Sequence, residues 1–279
     1  MHNTKSNLYG VYLYLVFMVC VVAALVGVTI IPKLNTRRKW VTKCAQFVFK
    51  LGLIPVHKSG YEKIVDRQCI VVANHASYID AIILHAFLPP HFSFVIKSEM
   101  KKVPIAHFLF RRVGSKFVER FVTSESARDA RNLMRDADSG ESLAFFPEGT
   151  FTNEPGLKKF RTGAFVIAKK SNLPLVPVVI NGSRKILPAG AFIPRYNKLG
   201  VHILDPIQPD NPVFSSTSDL LSEARFKMLE ILDFKGKKDD LGISYNKCTT
   251  RQLQYLSHLI SKSDDVLRCN VYVNNQVIL

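Results

Sequence analysis

Two polar clusters, each following an apolar run, hold the residue types in this chain that could do chemistry. V-V-A-N-H-A-S-Y-I-D places His75 and Asp80 directly after an apolar segment, and L-A-F-F-P-E-G-T ends a second such segment with Glu148, Gly149 and Thr150. A carboxylate on one imidazole nitrogen fixes the tautomer and stabilises the imidazolium, which leaves the other nitrogen free to take a proton from an alcohol. Such a pair turns a bound hydroxyl into a nucleophile. On one continuous helix, positions five apart stand roughly 140° from each other, so His75 and Asp80 must straddle a boundary between loop and helix. Ser77 followed by Asp80 is a capping-box-like start that puts Asp80 in the first turn and lets His75 fold back onto it. Ser77 is not surrounded by a G-x-S-x-G elbow, which argues for direct transfer over a covalent intermediate on that serine.

The elements needed to position these groups are visible as apolar runs alternating with helical stretches from Cys69 to Pro206, the pattern of a mainly parallel central sheet with flanking helices, an α/β fold. Strands are expected at Cys69–Ala73, Phe92–Ile96, Lys116–Val122, Ser142–Phe146, Leu175–Asn181 and Gly200–Leu204, and helices at about 125–137 and 219–234. In an open sheet of this kind, polar clusters at the carboxyl ends of the strands form the active site. Three divisions are expected: 1–55 as a membrane anchor with an interfacial helix, 56–234 as the α/β domain, and 235–279 as an extension with no recognisable chemistry.

Leu8 to Ile31 carries no charged residue, and as a helix it covers about 36 Å, enough for a hydrocarbon core of about 30 Å. An N-terminal membrane-embedded helix is therefore expected, either spanning or turning back as a helical hairpin. Arg37, Arg38, Lys39 and Lys43 follow it, whereas only Lys5 precedes it, which places the α/β domain on the cytoplasmic face and disfavours a cleaved export signal. Lys and Arg exceed Asp and Glu by 38 to 22, a net charge of +16. This favours an anionic partner, and beside a membrane segment that partner is a phospholipid membrane. The basic residues form no recognisable nucleic-acid module. Five scattered cysteines without C-x-x-C or zinc-ligand spacing imply a reduced compartment and no structural metal.

Taken in order, the clusters resemble the glycerolipid acyltransferases, the lysophosphatidic acid acyltransferase family, which carry N-H-x-x-x-x-D and F-P-E-G-T at about this separation. F-V-I-K-S-E-M (Phe94–Met100), V-G-S-K-F-V-E-R (Val113–Arg120) and L-P-L-V-P-V-V-I-N-G (Leu173–Gly182) are similar to further blocks of that family. The resemblance implies acyl transfer from an acyl thioester, on acyl-CoA or acyl-carrier protein, to the free hydroxyl of a lysolipid acceptor. It makes His75 the general base and Asp80 its orienting partner, with no cofactor or metal required. Lys97, Arg120, Glu148, Gly149, Thr150 and Arg161 would bind the acceptor's phosphate and glycerol. One departure bears on the acceptor: many family members read E-G-T-R, and position 151 here is Phe. Lys158, Lys159 or Arg161 would have to replace that cation, or the headgroup is another lysophospholipid or a lyso-aminolipid. A non-enzymatic protein that holds anionic bilayers is the competing class, and it leaves the His75 and Asp80 spacing without a use.

Overall fold

The computed structural model describes residues 2–64, 67–119, 123–152 and 156–232, and two short strands further on. Residues Met1–Phe234 form one compact unit and Lys235–Leu279 another. The first unit begins with α1 (His2–Ile30) and α2 (Leu34–Leu51), separated by Ile31-Pro32-Lys33. Proline at this point removes an amide donor and forces the chain out of the helix. The two helices run antiparallel, as an N-terminal helical hairpin. The Tyr9 hydroxyl donates to Gly52 O at 2.8 Å and the Trp40 indole to Ala23 O at 2.9 Å.

The α/β elements follow as β1 (Val56–Ser59), β2 (Ile70–Ala73), α3 (Asp80–Phe87), β3 (Ser93–Lys97), α4 (Pro104–Arg112), β4 (Lys116–Val118), α5 (Thr123–Asp138), β5 (Leu143–Phe145), α6 (Gly163–Lys170), β6 (Leu175–Asn181), α7 (Ser183–Ile186), β7 (Leu199–Ile203) and α8 (Thr217–Ile231). The sheet order is β1-β7-β6-β2-β5-β3-β4, parallel throughout except for the antiparallel pair β6 and β7. The expected mainly parallel sheet is observed. Leu175–Asn181 matches the expected strand at both ends, and the others agree within a residue or two where they are described. Residues 120–122, the end of the expected fourth strand, lie outside the described residues. The reading of the sequence missed β1, whose V-H-K-S has a single apolar side chain and sits at a sheet edge where burial imposes no pattern. The second unit is described only by the antiparallel ladder of β8 (Tyr272–Val273) with β9 (Gln276–Val277).

Two apolar layers sandwich the sheet. One face packs on α3 and α2, with Val71, Ala73, Leu84, Phe87, Ala45 and Phe49 in a single cluster that also takes in Leu13 of α1. The other packs on α5, α6 and α8 through Ile70, Val72, Leu133, Phe165, Leu220 and Met228. The hairpin is thus part of the core of the first unit, and no boundary between compact units falls at residue 55. Arg38, part of the expected basic flank, is turned inward: its guanidinium donates to Val113 O, His91 O and Ser93 Oγ and ties α2 to the β3 side of the sheet. Cys20, Cys44 and Cys69 are buried free thiols, while Cys248 and Cys269 lie outside the described residues.

Candidate active site

Strands β2 and β5 are parallel neighbours, with Val72 opposite Phe145, so His75 and Glu148 leave the sheet side by side at its carboxyl edge. Asn74 secures the exit of β2. Its side-chain amide donates to Ile180 O at 3.0 Å and accepts from Ile180 N at 2.7 Å, copying a backbone rung and extending the pairing with β6 by one residue. The motif's asparagine is thus structural, a role that spacing alone did not disclose.

His75 Nδ1 lies 3.0 Å from Asp80 Oδ2, and the same oxygen accepts from Ala76 N at 2.6 Å and Ser77 N at 2.7 Å. Asp80 opens α3 and is fully buried, and three converging N–H groups hold its carboxylate in place. A carboxylate oxygen only accepts, so Nδ1 carries the hydrogen, and in the neutral imidazole the lone pair is then on Nε2. The expected capping box forms differently. Asp80 reaches back to the turn, while the buried Ser77 hydroxyl donates to Leu187 O at 2.5 Å. That bond directs the Ser77 hydroxyl at the backbone.

Glu148 faces inward: Oε1 accepts from His75 N at 2.7 Å and Oε2 from Lys158 N at 2.8 Å. Its two oxygens clamp the His75 turn to the 156–158 segment, a positioning role that the expectation of acceptor contact did not include. Burial pushes its carboxyl above the usual carboxylate range, against the two backbone bonds, His75 and Arg225, which pull it down. Arg225 of α8 supports the same segment through Lys158 O and Leu157 O, both at 2.7 Å. This contact joins distant stretches of chain and had no sequence signal.

The F-P-E-G turn closes with Gly149 N on Phe146 O at 3.0 Å, at φ +76°, a left-handed conformation that glycine adopts without a Cβ penalty. Arg161 N bonds Pro147 O at 2.8 Å, so this residue stands beside the turn with its side chain exposed. Thr150 is exposed, as is Lys97 at the end of β3, two strands from His75. Arg120 lies outside the described residues. Two aromatic residues that were not expected frame the imidazole: Phe146 stacks on it at 4.2 Å between ring centroids, and Phe151 tilts against it at 4.5 Å. Tyr78 meets Phe151 edge-on at 4.7 Å and also lines an apolar cavity of about 190 Å³. That cavity is enclosed by Leu13 and Phe17 of α1, Phe49 of α2, Ile79, Ile82 and Leu187. Among the described residues no group of three or more His, Cys, Asp and Glu side chains comes together to hold a metal ion.

The Acyltransferase family model matches residues 55–181, the stretch that contains both clusters. A 1-acyl-sn-glycerol-3-phosphate acyltransferase of Saccharomyces cerevisiae is 28% identical over 239 residues, which cover 80% of this chain and 78% of the yeast protein. A chloroplast protein of the same name from Brassica napus is 29% identical over 71% of this chain, which spans only 57% of that relative. The crystal structure of the 1-acyl-sn-glycerophosphate (LPA) acyltransferase of Thermotoga maritima superposes with a TM-score of 0.70 at 25% identity, covering 85% of this chain and all of that one. The Acyltransferase match thus lies over the strand ends that carry His75, Asp80 and Glu148, the Thermotoga maritima enzyme shares the fold, and the chain is similar to the glycerolipid acyltransferases in both sequence and fold.

Proposed function

We propose that this chain is a membrane-bound 1-acylglycerol-3-phosphate O-acyltransferase that moves a fatty acyl group from acyl-CoA or acyl-carrier protein to the free hydroxyl of a lysoglycerolipid. The observation that carries this reading is the His75 imidazole, held through Nδ1 by buried Asp80 and linked by the Phe151 and Tyr78 rings to a cavity of apolar side chains. Nε2 takes the hydroxyl proton as the alcohol oxygen attacks the thioester carbonyl carbon. Collapse of the tetrahedral adduct breaks the C–S bond, and the imidazolium returns its proton to the departing thiolate. Asp80 stabilises the imidazolium between the two transfers. No cofactor or metal takes part in this scheme. The exposed Lys97, Lys159 and Arg161 would meet the acceptor's phosphate, and Phe151, packed on His75, would present an apolar wall where a cation is common in the family.

The hairpin supports a position within one leaflet. Leu8, Val11, Leu15, Met18, Val19, Val22 and Val26 form an exposed apolar face on α1, while Gly10, Leu13, Cys20, Ala24 and Val28 face the protein. A helix apolar on both sides suits hydrocarbon. Both of its ends touch the α/β layers: Tyr14 donates to Phe192 O near one end, and Arg112 donates to Val28 O at 2.7 Å near the other. Standing across the bilayer, α1 would drag either Arg195 and Lys198 or Arg111 and Arg112 into the hydrocarbon core, at several kcal/mol per charge. Lying along the interface, it leaves both clusters among headgroups, and Arg37, Lys39 and Lys43 then favour the cytoplasmic leaflet.

The test is thiol release from acyl-CoA and from acyl-carrier protein, with a panel of lysolipids and mass spectrometry of the products. Lysophosphatidic acid should be converted to phosphatidic acid, and His75→Ala should abolish turnover without changing thermal unfolding. Folded protein that releases no thiol with any lysolipid would leave the lipid-binding alternative standing.

A further inference from the structure

The apolar surface of α1 continues beyond the hairpin at both ends. Near its start, the turn after α7 exposes Phe192 at 82%, together with Ile193 and Tyr196. This turn is locked to α1. Tyr14 donates to Phe192 O, the Tyr9 and Tyr196 rings meet edge-on at 5.7 Å, and a Cβ on Gly10 would fall 2.4 Å from Ile193 Cγ2, so only glycine admits the contact. Near the other end lies α4, which buries none of its residues fully. Its Leu109 packs with Ala24, Val28, Val41 and Cys44 of the hairpin, whereas Ile105 and Phe108 are exposed, as is Val103 just before the helix.

Large apolar side chains left exposed together at these two places call for an apolar partner. Their setting identifies it. Each patch is fastened to the helix whose outer face is itself apolar, and each is edged by exposed cations: Arg195 and Lys198 beside the turn, Lys101, Lys102 and Arg111 around α4. Apolar side chains beneath a rim of Lys and Arg are the composition of an interfacial lipid contact. A protein partner covering both patches would also have to cover α1, about 27 Å of helix between its contacts at Gly10 and Val28, and would leave that helix no lipid to enter.

We propose that the Phe192–Ile193 turn and the Ile105/Phe108 face of α4 are two further bilayer-inserting elements. They grip an anionic phospholipid surface at either end of α1 and set the depth at which His75 meets its lipid. The inference rests on the reading of α1 as bilayer-embedded, and on no assumption about turnover.

Phe192→Trp, Ile105→Trp, Val19→Trp and Gln208→Trp, each made in the full chain, would be reconstituted into phosphatidylcholine and phosphatidylglycerol vesicles, with and without bromine on the upper acyl chains. The emission of Trp40 is subtracted using the unmodified protein. Gln208 is exposed on the loop that leads into the amino end of the sheet and serves as the dry control. The new tryptophan at 192 and at 105 should lose roughly half its emission to brominated lipid, as groups seated about 5–10 Å into the interface do, and that at 208 almost none. If Val19→Trp is quenched while Phe192→Trp or Ile105→Trp behaves like Gln208→Trp, the proposal is overturned and the anchor reading survives. If Val19→Trp is also unquenched, both fall, and a second copy becomes the cover to look for.

Discussion

Replacing Asp80 by Asn tests the general-base scheme at its electrostatic centre. The two side chains have the same shape, and Ala76 N, Ser77 N and His75 Nδ1 all aim at Oδ2. The amide oxygen of Asn should therefore turn to that position and preserve the tautomer, so that charge is the main thing removed. For an imidazolium and a carboxylate 3.0 Å apart, an effective dielectric of about 20 gives 332/(20 × 3.0), or about 5.5 kcal/mol. At 1.36 kcal/mol per tenfold this is about four decades of rate at the ceiling. His75 is partly exposed and the amide dipole replaces some of the interaction, so Asp80→Asn should lower kcat/KM by roughly a thousandfold to ten-thousandfold. Stability should fall by only about 1–2 kcal/mol as charge-assisted bonds become neutral ones. Initial rates of thiol release at lysolipid concentrations well below KM, set beside thermal unfolding of the same preparation, measure both. Two residues that act as a unit are not additive, so the double variant His75→Ala with Asp80→Asn should be no slower than His75→Ala alone. If Asp80→Asn stayed within tenfold of the unmodified protein at an unchanged melting temperature, the carboxylate's charge would not be part of the reaction and the scheme would be refuted.

Three other substitutions examine the frame around that pair. Asn74→Ala strips Ile180 of both partners inside the sheet and should cost about 2–4 kcal/mol; a loss below 1 kcal/mol in chemical unfolding would contradict the rung-like role. Glu148→Gln leaves one of two backbone donors facing an amide N–H, and should slow turnover about tenfold through the displaced His75 turn. Because burial raises the Glu148 carboxyl, its contribution to stability is whole below its ordinary value near 4.5 and declines as pH rises through the folded value. The melting temperature of Glu148→Gln relative to the unmodified protein should accordingly improve as pH rises from 4 to 7, and a flat difference would be the contrary result. His85, packed between Phe94 and Phe110, is held down to about 4 by burial and then by Arg38. A drop from 6.5 to about 4 is worth at most about 3 kcal/mol, present above pH 6.5 and lost as pH falls towards 4. His85→Phe should lose less melting temperature than the unmodified protein over that interval.

The linear chain already determined which groups could react and roughly where each strand lies. His75, Asp80 and Glu148 follow runs such as I-V-V-A and L-A-F that must be buried strands, and burial on both faces is a local property that composition alone encodes. A β-strand's exit is a local matter too, so the need for Asp80 to fold back on His75 was legible from five positions. The direction in which Glu148 points was not. It depends on β5 lying next to β2, and on Arg225, far along the chain, holding the 157–158 carbonyls. The same holds for Phe151, which reads in sequence as a missing cation and in space as a ring against the imidazole. The anchor divides in the same way. Twenty-four uncharged residues declare an affinity for hydrocarbon, but whether they cross it or lie along it is decided by what holds their two ends, and only packing brings Arg112 to Val28 and Phe192 to Tyr14.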